Sequence, residues 1–366
     1  MYLKKTNDNG ETLVTHVSHQ FCGNVGDTVL AQCSRYAINY KNTYKWAYLS
    51  LRKKVDISTI DMINSSKALV IGGGGLFLPD GTPNSVSGWQ WPCPKELLNQ
   101  ITVPIIIFGV GFNYFRGQEP NSVFIENLNA IIDRASFVGL RNSGSITAVK
   151  SLVNETLRNK IVYQPCTTTI INRLYGTEHR LNSSKKIAVN ISFDRINLRF
   201  GIRKNEILSE IAEAISVIHK NGYQIYNIAH CSCDLEFSSF LQDLSIPHTN
   251  VDATFWLPQK LISFYKNIDV VIGMRGHAQM IPFGVGTRII SLGTHAKMKW
   301  FLEDINSTDW YIDCFDNKNS IAGNIINAFN SIVDSETVLS RLYNEQDRLY
   351  NITQNNISHI QEIIGQ

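Results

Sequence analysis

Short apolar runs rich in Val and Ile recur through the first half of the chain, at residues 12–18, 68–72, 103–109, 136–140 and 160–163. Bounded by Gly, Pro or polar residues, such runs read as strands covered on both faces. Helical periodicity near 26–40, 121–134 and 143–152 fills the gaps, so strand and helix alternate as in a doubly wound parallel sheet. A polar, turn-rich stretch at 171–185 interrupts the alternation, and a new strand opens at 186–192. Beyond it the pattern predicts strands at 223–229, 269–273 and 288–292, and helices at 204–220, 257–266, 277–284 and 320–333. A long helical pattern at 336–363 follows.

This order predicts an α/β protein with two doubly wound Rossmann-like domains facing a cleft, a glycosyltransferase-B-like architecture. The domains are expected at 1–172 and 186–333, with the helix of 336–366 packing across them. Length agrees, because 366 residues exceed the roughly 250–300 at which one core stops growing.

Charge and cysteine content narrow the function. A net charge of +3, with acids and bases interspersed, excludes a nucleic-acid partner and suits a small anionic substrate. Seven scattered cysteines without a CxxC pair indicate a reducing compartment and no metal site. The first residues lack the apolar core of a signal peptide, and the most apolar window, 101–112, is too short to span a bilayer. A cytoplasmic protein is expected, with at most peripheral contact at the membrane.

Four segments place chemistry-bearing residues at expected strand ends. At 21–33, Gly23, Asn24, Gly26 and Asp27 follow the first strand and open a helix. A loop there faces the ligand crevice and can bind anions through backbone N–H groups, while a plain turn with Asp27 as N-cap is the alternative. At 70–81 a run of four glycines, including Gly73 and Gly74, follows a buried strand, where a missing Cβ permits a turn or close approach to a ligand. Its spacing is neither the Rossmann fingerprint nor the phosphate loop.

At 269–292, Arg275, Gly276 and His277 lie where a strand ends and a helix begins. A guanidinium there can grip a phosphate or carboxylate in two-point fashion, and an imidazole can move a proton near neutral pH. The positive helix end and nearby arginines are expected to depress the His277 pKa. At 191–203, Asp194, Arg195 and Arg199 add further cations to the same side, and either arginine could serve. Lys297 follows another strand end, Trp89 and Trp91 offer sugar-stacking faces or a buried loop anchor, and His230, Cys231 and Cys233 lack a second cluster to complete a metal site.

Taken together, the NVGD of 24–27, the glycine run, GLRNSGS at 139–145 and the Met-Arg-Gly-His of 274–277 resemble the polysaccharide pyruvyltransferase family across nearly the whole chain. The resemblance implies phosphoenolpyruvate as co-substrate and no cofactor. It implies as acceptor a sugar of a surface polysaccharide, capsule or exopolysaccharide, lipid-linked at the inner membrane face. The N-terminal domain would then take the acceptor and the C-terminal domain the donor. Carried over, the family's Arg-x-His element falls on Arg275 and His277, its second-domain arginine on Arg195 with Arg199 as rival, and its NxGD element on Asn24, Gly26 and Asp27. The family's usual Arg-Asp is Arg141 and Asn142 here, so that carboxylate is missing. His277 would protonate C3 of the donor, and Asp27 or Asp194 would orient or deprotonate a hydroxyl. A nucleotide-sugar glycosyltransferase and a non-catalytic anion or glycan binder are the rival readings.

Overall fold

The expected apolar runs become two parallel six-stranded sheets in the computed structural model, which describes residues 12–20, 22–40, 42–78, 85–115, 117–177, 184–316 and 320–365. The first sheet comprises β1 (Thr12–Ser18), β2 (Tyr44–Ser50), β3 (Leu69–Phe77), β4 (Ile105–Phe112), β5 (Ala135–Leu140) and β6 (Ile161–Tyr163), in the order β2-β1-β3-β4-β5-β6. The second comprises β7 (Lys186–Asn190), β8 (Gln224–Ala229), β9 (His248–Asp252), β10 (Val270–Gly273), β11 (Arg288–Gly293) and β12 (Tyr311–Asp313), in the order β12-β11-β10-β7-β8-β9. Strand order reverses between β1 and β3 in one sheet and between β7 and β10 in the other. Loops leaving those strands diverge and open a ligand crevice.

Central strands are largely buried because helices cover both faces; all eight residues of β4 are buried. Three strands absent from the sequence reading, β2, β9 and β12, pair along one side only, so their runs are mixed in polarity; β9 reads His-Thr-Asn-Val-Asp. The glycine run brings a correction. It does not follow a strand but forms one, since β3 continues to Phe77. A Cβ on Gly72 would overlap the Phe108 carbonyl, and one on Gly73 would come within 3.1 Å of Leu30. The missing side chains let the helix Val25–Ile38 seat closely on the sheet. Residues 79–81 of the quoted motif lie outside the described residues.

The halves are joined extensively. Helix His277–Gly284 is buried at every position, and a Cβ on Gly284 would overlap the Thr168 carbonyl. The helix Glu336–Gly365 packs Val338, Leu342 and Leu349 into the core of the second sheet, and Ile357, Ile360, Ile363 and Ile364 against Val14, Val70 and Phe108 of the first. Among the described residues no helix is long and apolar enough to cross a membrane.

Candidate functional site

Between the two crevices lies a cavity of about 370 Å³. His19, Asn24, Asp27, Arg52 and Arg141 reach it from the first domain; Asp194, Arg195, Arg199, Arg275, Gly276, His277 and Lys297 reach it from the second.

Arg275 projects from the end of β10, but its guanidinium is already engaged. Nε donates to Asp234 Oδ2 at 2.7 Å, Nη2 donates to Asp234 Oδ1 at 2.6 Å, and Nη2 lies 2.9 Å from Asp194 Oδ1. Asp234 is fully buried and also accepts from the backbone N–H groups of His230 (3.1 Å) and Cys231 (3.3 Å). The expected open two-point grip is therefore corrected: Arg275 is locked, with a 9% exposed edge toward the cavity.

Asp194 is shared by three guanidiniums, with Arg195 Nη1 at 3.2 Å and Arg199 Nη2 at 3.2 Å joining Arg275. Burial opposes its ionisation, yet Arg199 and Arg275 outweigh that and hold the carboxyl below its usual range. Arg199 is 3% exposed, and its Nε and Nη1 donate to the Asp194 carbonyl (2.9 Å) and Thr294 Oγ1 (3.3 Å). Arg195, with φ of 55° and a side chain 31% exposed, is the more open of the two. The two rival arginines thus differ in burial and in partners.

His277 starts its helix with Nδ1 3.3 Å from Asp27 Oδ1 and Nε2 4.0 Å from Cys166 Sγ. Burial would favour the neutral imidazole, but the contacts to Asp27 and Cys166 prevail and raise its pKa to about 9. This reverses the expected depression, because a carboxylate in contact outweighs a helix end and more distant arginines. Conversely, burial raises the Asp27 carboxyl less than His277 lowers it, leaving it at about 2. Asp27 is not the N-cap; Asn24 is, its Oδ1 accepting from the Gly26 N–H at 3.0 Å. Gly26 faces the other domain, where a Cβ would stand 2.6 Å from His277 Cβ.

Arg141 enters the sequence reading only within a motif, yet it is 6% exposed and its Nε and Nη2 lack a hydrogen-bond partner among the described residues. Gly111 makes room for it, since a Cβ there would overlap Arg141 Nε. An arginine at a strand end two residues after a glycine, GLR, was the available signal. Asn142 fills the place of the missing carboxylate as an N-cap, its Oδ1 accepting from the Ser145 N–H at 2.7 Å. Lys297 is half-buried on the cavity wall; burial, Arg141 and Arg199 drive its pKa far below the ordinary lysine value.

The remaining expected residues separate. Gly276 lies on the cavity wall, whereas Gly73 and Gly74 stay within β3 and Gly75 reaches the cavity instead. Trp89 and Trp91 are buried at 3% and 0%, stacked edge-on with each other, and so anchor their loop. His230 donates or accepts at Tyr265 Oη, 2.7 Å away, and its Nδ1, beside Gly26, has no partner among the described residues. No group of three or more metal-ligating side chains occurs among the described residues.

Fold and site define a two-domain, glycosyltransferase-B-like protein with a cation-lined interdomain cleft. The family model for polysaccharide pyruvyl transferase matches residues 24–295, and the chain belongs to that family. Similar solved structures include a UDP-N-acetylglucosamine 2-epimerase of Listeria monocytogenes (TM-score 0.57, 11% identity, 96% of this chain and 98% of that one). The S. aureus MnaA–UDP complex (TM-score 0.55, 11% identity, 97% and 98%) and the Neisseria meningitidis UDP-GlcNAc 2-epimerase (0.52, 11%, 96% and 98%) are alike. At these identities the likeness is one of fold. Among curated proteins none matches the chain in sequence.

Proposed function

We propose that this transferase moves the pyruvyl group of phosphoenolpyruvate onto two hydroxyls of one sugar, forming a ketal and releasing phosphate, in the assembly of a surface polysaccharide. One observation carries the reading. The cavity presents five arginines against two carboxylates, and one of those, Asp194, is divided among three guanidiniums. Such an excess suits a compact donor bearing both a phosphate and a carboxylate. Leu78 is the one large apolar side chain lining it among the described residues, so the wall suits a small, highly charged donor better than a nucleobase.

In this reading Arg141 and Arg195 take the donor's anionic groups, and Arg275 holds Asp194 and the β10 end in place. The His277 imidazolium gives its proton to C3, making C2 electrophilic; a sugar hydroxyl adds there, the C2–O bond to phosphate breaks, and a second hydroxyl closes the ketal. The two hydroxyl protons balance the step, one restoring His277 and one leaving with phosphate. Asp27 fixes the imidazole and orients the incoming hydroxyl.

The test is incubation with phosphoenolpyruvate and p-nitrophenyl or lipid-linked sugars, reading pyruvyl ketal by mass spectrometry and phosphate by colour. Equal amounts of both support the reading. Phosphate without ketal, no turnover across the acceptor panel, or thermal stabilisation by UDP-sugars in place of phosphoenolpyruvate would sink it.

A further inference from the structure

The most exposed large apolar side chains are not scattered over the molecule. Ile202 is fully exposed, Phe255 82%, Leu257 70% and Ile57 65%, and each lies in the connection that leaves the C-terminal end of a strand, Ile57 after β2, Ile202 after β7, and Phe255 and Leu257 after β9. Residues of the cavity wall connect them. Arg52 lines the cavity and is followed by exposed Lys53 and Lys54, then Ile57. Arg195 lines it and leads through the short helix Ile196–Phe200 to Ile202. Cys231 lines it, and its neighbour Ser232 bonds Thr254 at 3.0 Å, at the root of the Phe255–Leu257 loop. The helix Val25–Ile38 packs on the helix Pro258–Lys266, bringing the two domains' rims together.

Basic residues alternate with these apolar tips. Lys53 and Lys54 stand beside Ile57, Lys204 follows Ile202, and Lys260 lies 4.0 Å over the Trp256 ring behind Leu257. The neighbouring acids each have partners: Asp56 caps the helix Ile57–Asn64, Glu206 pairs with Arg203 at 2.6 Å, and Asp252 accepts from Ser232 Oγ at 3.1 Å and the Thr254 N–H at 3.0 Å. Single apolar side chains protruding from separate loops, each with a lysine close by, offer no groove or continuous face to a protein. They match the boundary of an anionic bilayer, where side chains enter the headgroup layer one by one and lysines meet the surface charge.

We propose that this rim docks the protein onto an anionic lipid bilayer, with the mouth of the cleft turned toward the membrane surface. The proposal is independent of the chemistry performed inside. It is tested by sedimenting the full chain with vesicles of equimolar phosphatidylglycerol and phosphatidylcholine, and with phosphatidylcholine alone. Binding to the anionic vesicles that weakens at high salt is expected. The pairs Ile202→Ser with Phe255→Ser, and Lys53→Glu with Lys54→Glu, should each reduce it by about tenfold or more while the melting temperature holds. Absence of binding to anionic vesicles at low salt, or variants that bind like the parent, overturns the proposal. So does concentration-dependent self-association abolished by the Ile202 and Phe255 changes, since a second copy would then cover the rim.

Discussion

Asp234 and Arg275 form a closed two-point pair, Nε to Oδ2 at 2.7 Å and Nη2 to Oδ1 at 2.6 Å, in which the carboxylate is fully buried. The arginine that sequence singles out as a donor ligand also ties β10 to the loop after β8. Removing one partner of a buried pair typically costs about 3–5 kcal/mol. Asp234→Ala should therefore lower stability toward urea by that order. Arg275→Lys should impair donor use and stability together, because an ammonium cannot keep both hydrogen bonds and the Asp194 contact. Unchanged unfolding midpoints in both would contradict the tie.

Arg141 is expected to carry donor affinity. Arg141→Lys should raise the KM for phosphoenolpyruvate by about tenfold or more, the equivalent of roughly 1.5–3 kcal/mol for a hydrogen bond to a charged group. Gly111→Ala should imitate it by pushing the guanidinium aside. Arg199→Ala should mainly destabilise, whereas Arg195→Ala should mainly raise KM. Steady-state kinetics with thermal melts of the four variants decide between these roles.

His277→Ala should lower kcat by about 10²- to 10⁴-fold, the ordinary contribution of a general acid. If His277→Gln keeps turnover but needs far more donor, the imidazole is a phosphate ligand and the proton comes from elsewhere.

The pH dependence follows from the signs of the two shifts. The imidazole pKa is raised to about 9, so its share of stability is complete below the unfolded value and is lost as pH rises through 9. The Asp27 carboxyl is lowered to about 2, so its share holds above the unfolded value and is lost as pH falls through 2. Turnover should fall on the alkaline side near pH 9, and Asp27→Asn should move that limb downward. An alkaline limb that stays in place in Asp27→Asn would remove Asp27 as the cause.

Cys166 is buried, 4.0 Å from the other imidazole nitrogen and 3.1 Å from Thr168 Oγ1. Cys166→Ala should shift the alkaline limb downward and Cys166→Ser should restore part of it. Identical limbs in all three proteins would mean the thiol only fills space.

The sequence by itself determined the alternation of strand and helix, the new strand opening at 186, and the strand-to-helix loop holding Arg275 and His277. Those features follow from local periodicity and from residues adjacent in the chain. Helices at 143–152, 204–220 and 277–284 were legible to the residue. Tertiary structure alone decided which charges are spent. Asp234 lies 41 residues from Arg275, Asp27 lies 250 from His277, and each pairing sets its partner's charge and freedom across a strand crossover or a domain boundary. It also decided that the glycines run on as strand, because the helix Val25–Ile38 needs that surface, and that Arg141 Nε and Nη2 stay without a hydrogen-bond partner among the described residues. Pattern along a chain reports which groups are present and on which element. Electrostatic roles depend on what folding places within about 4 Å, and that distance is not written in spacing.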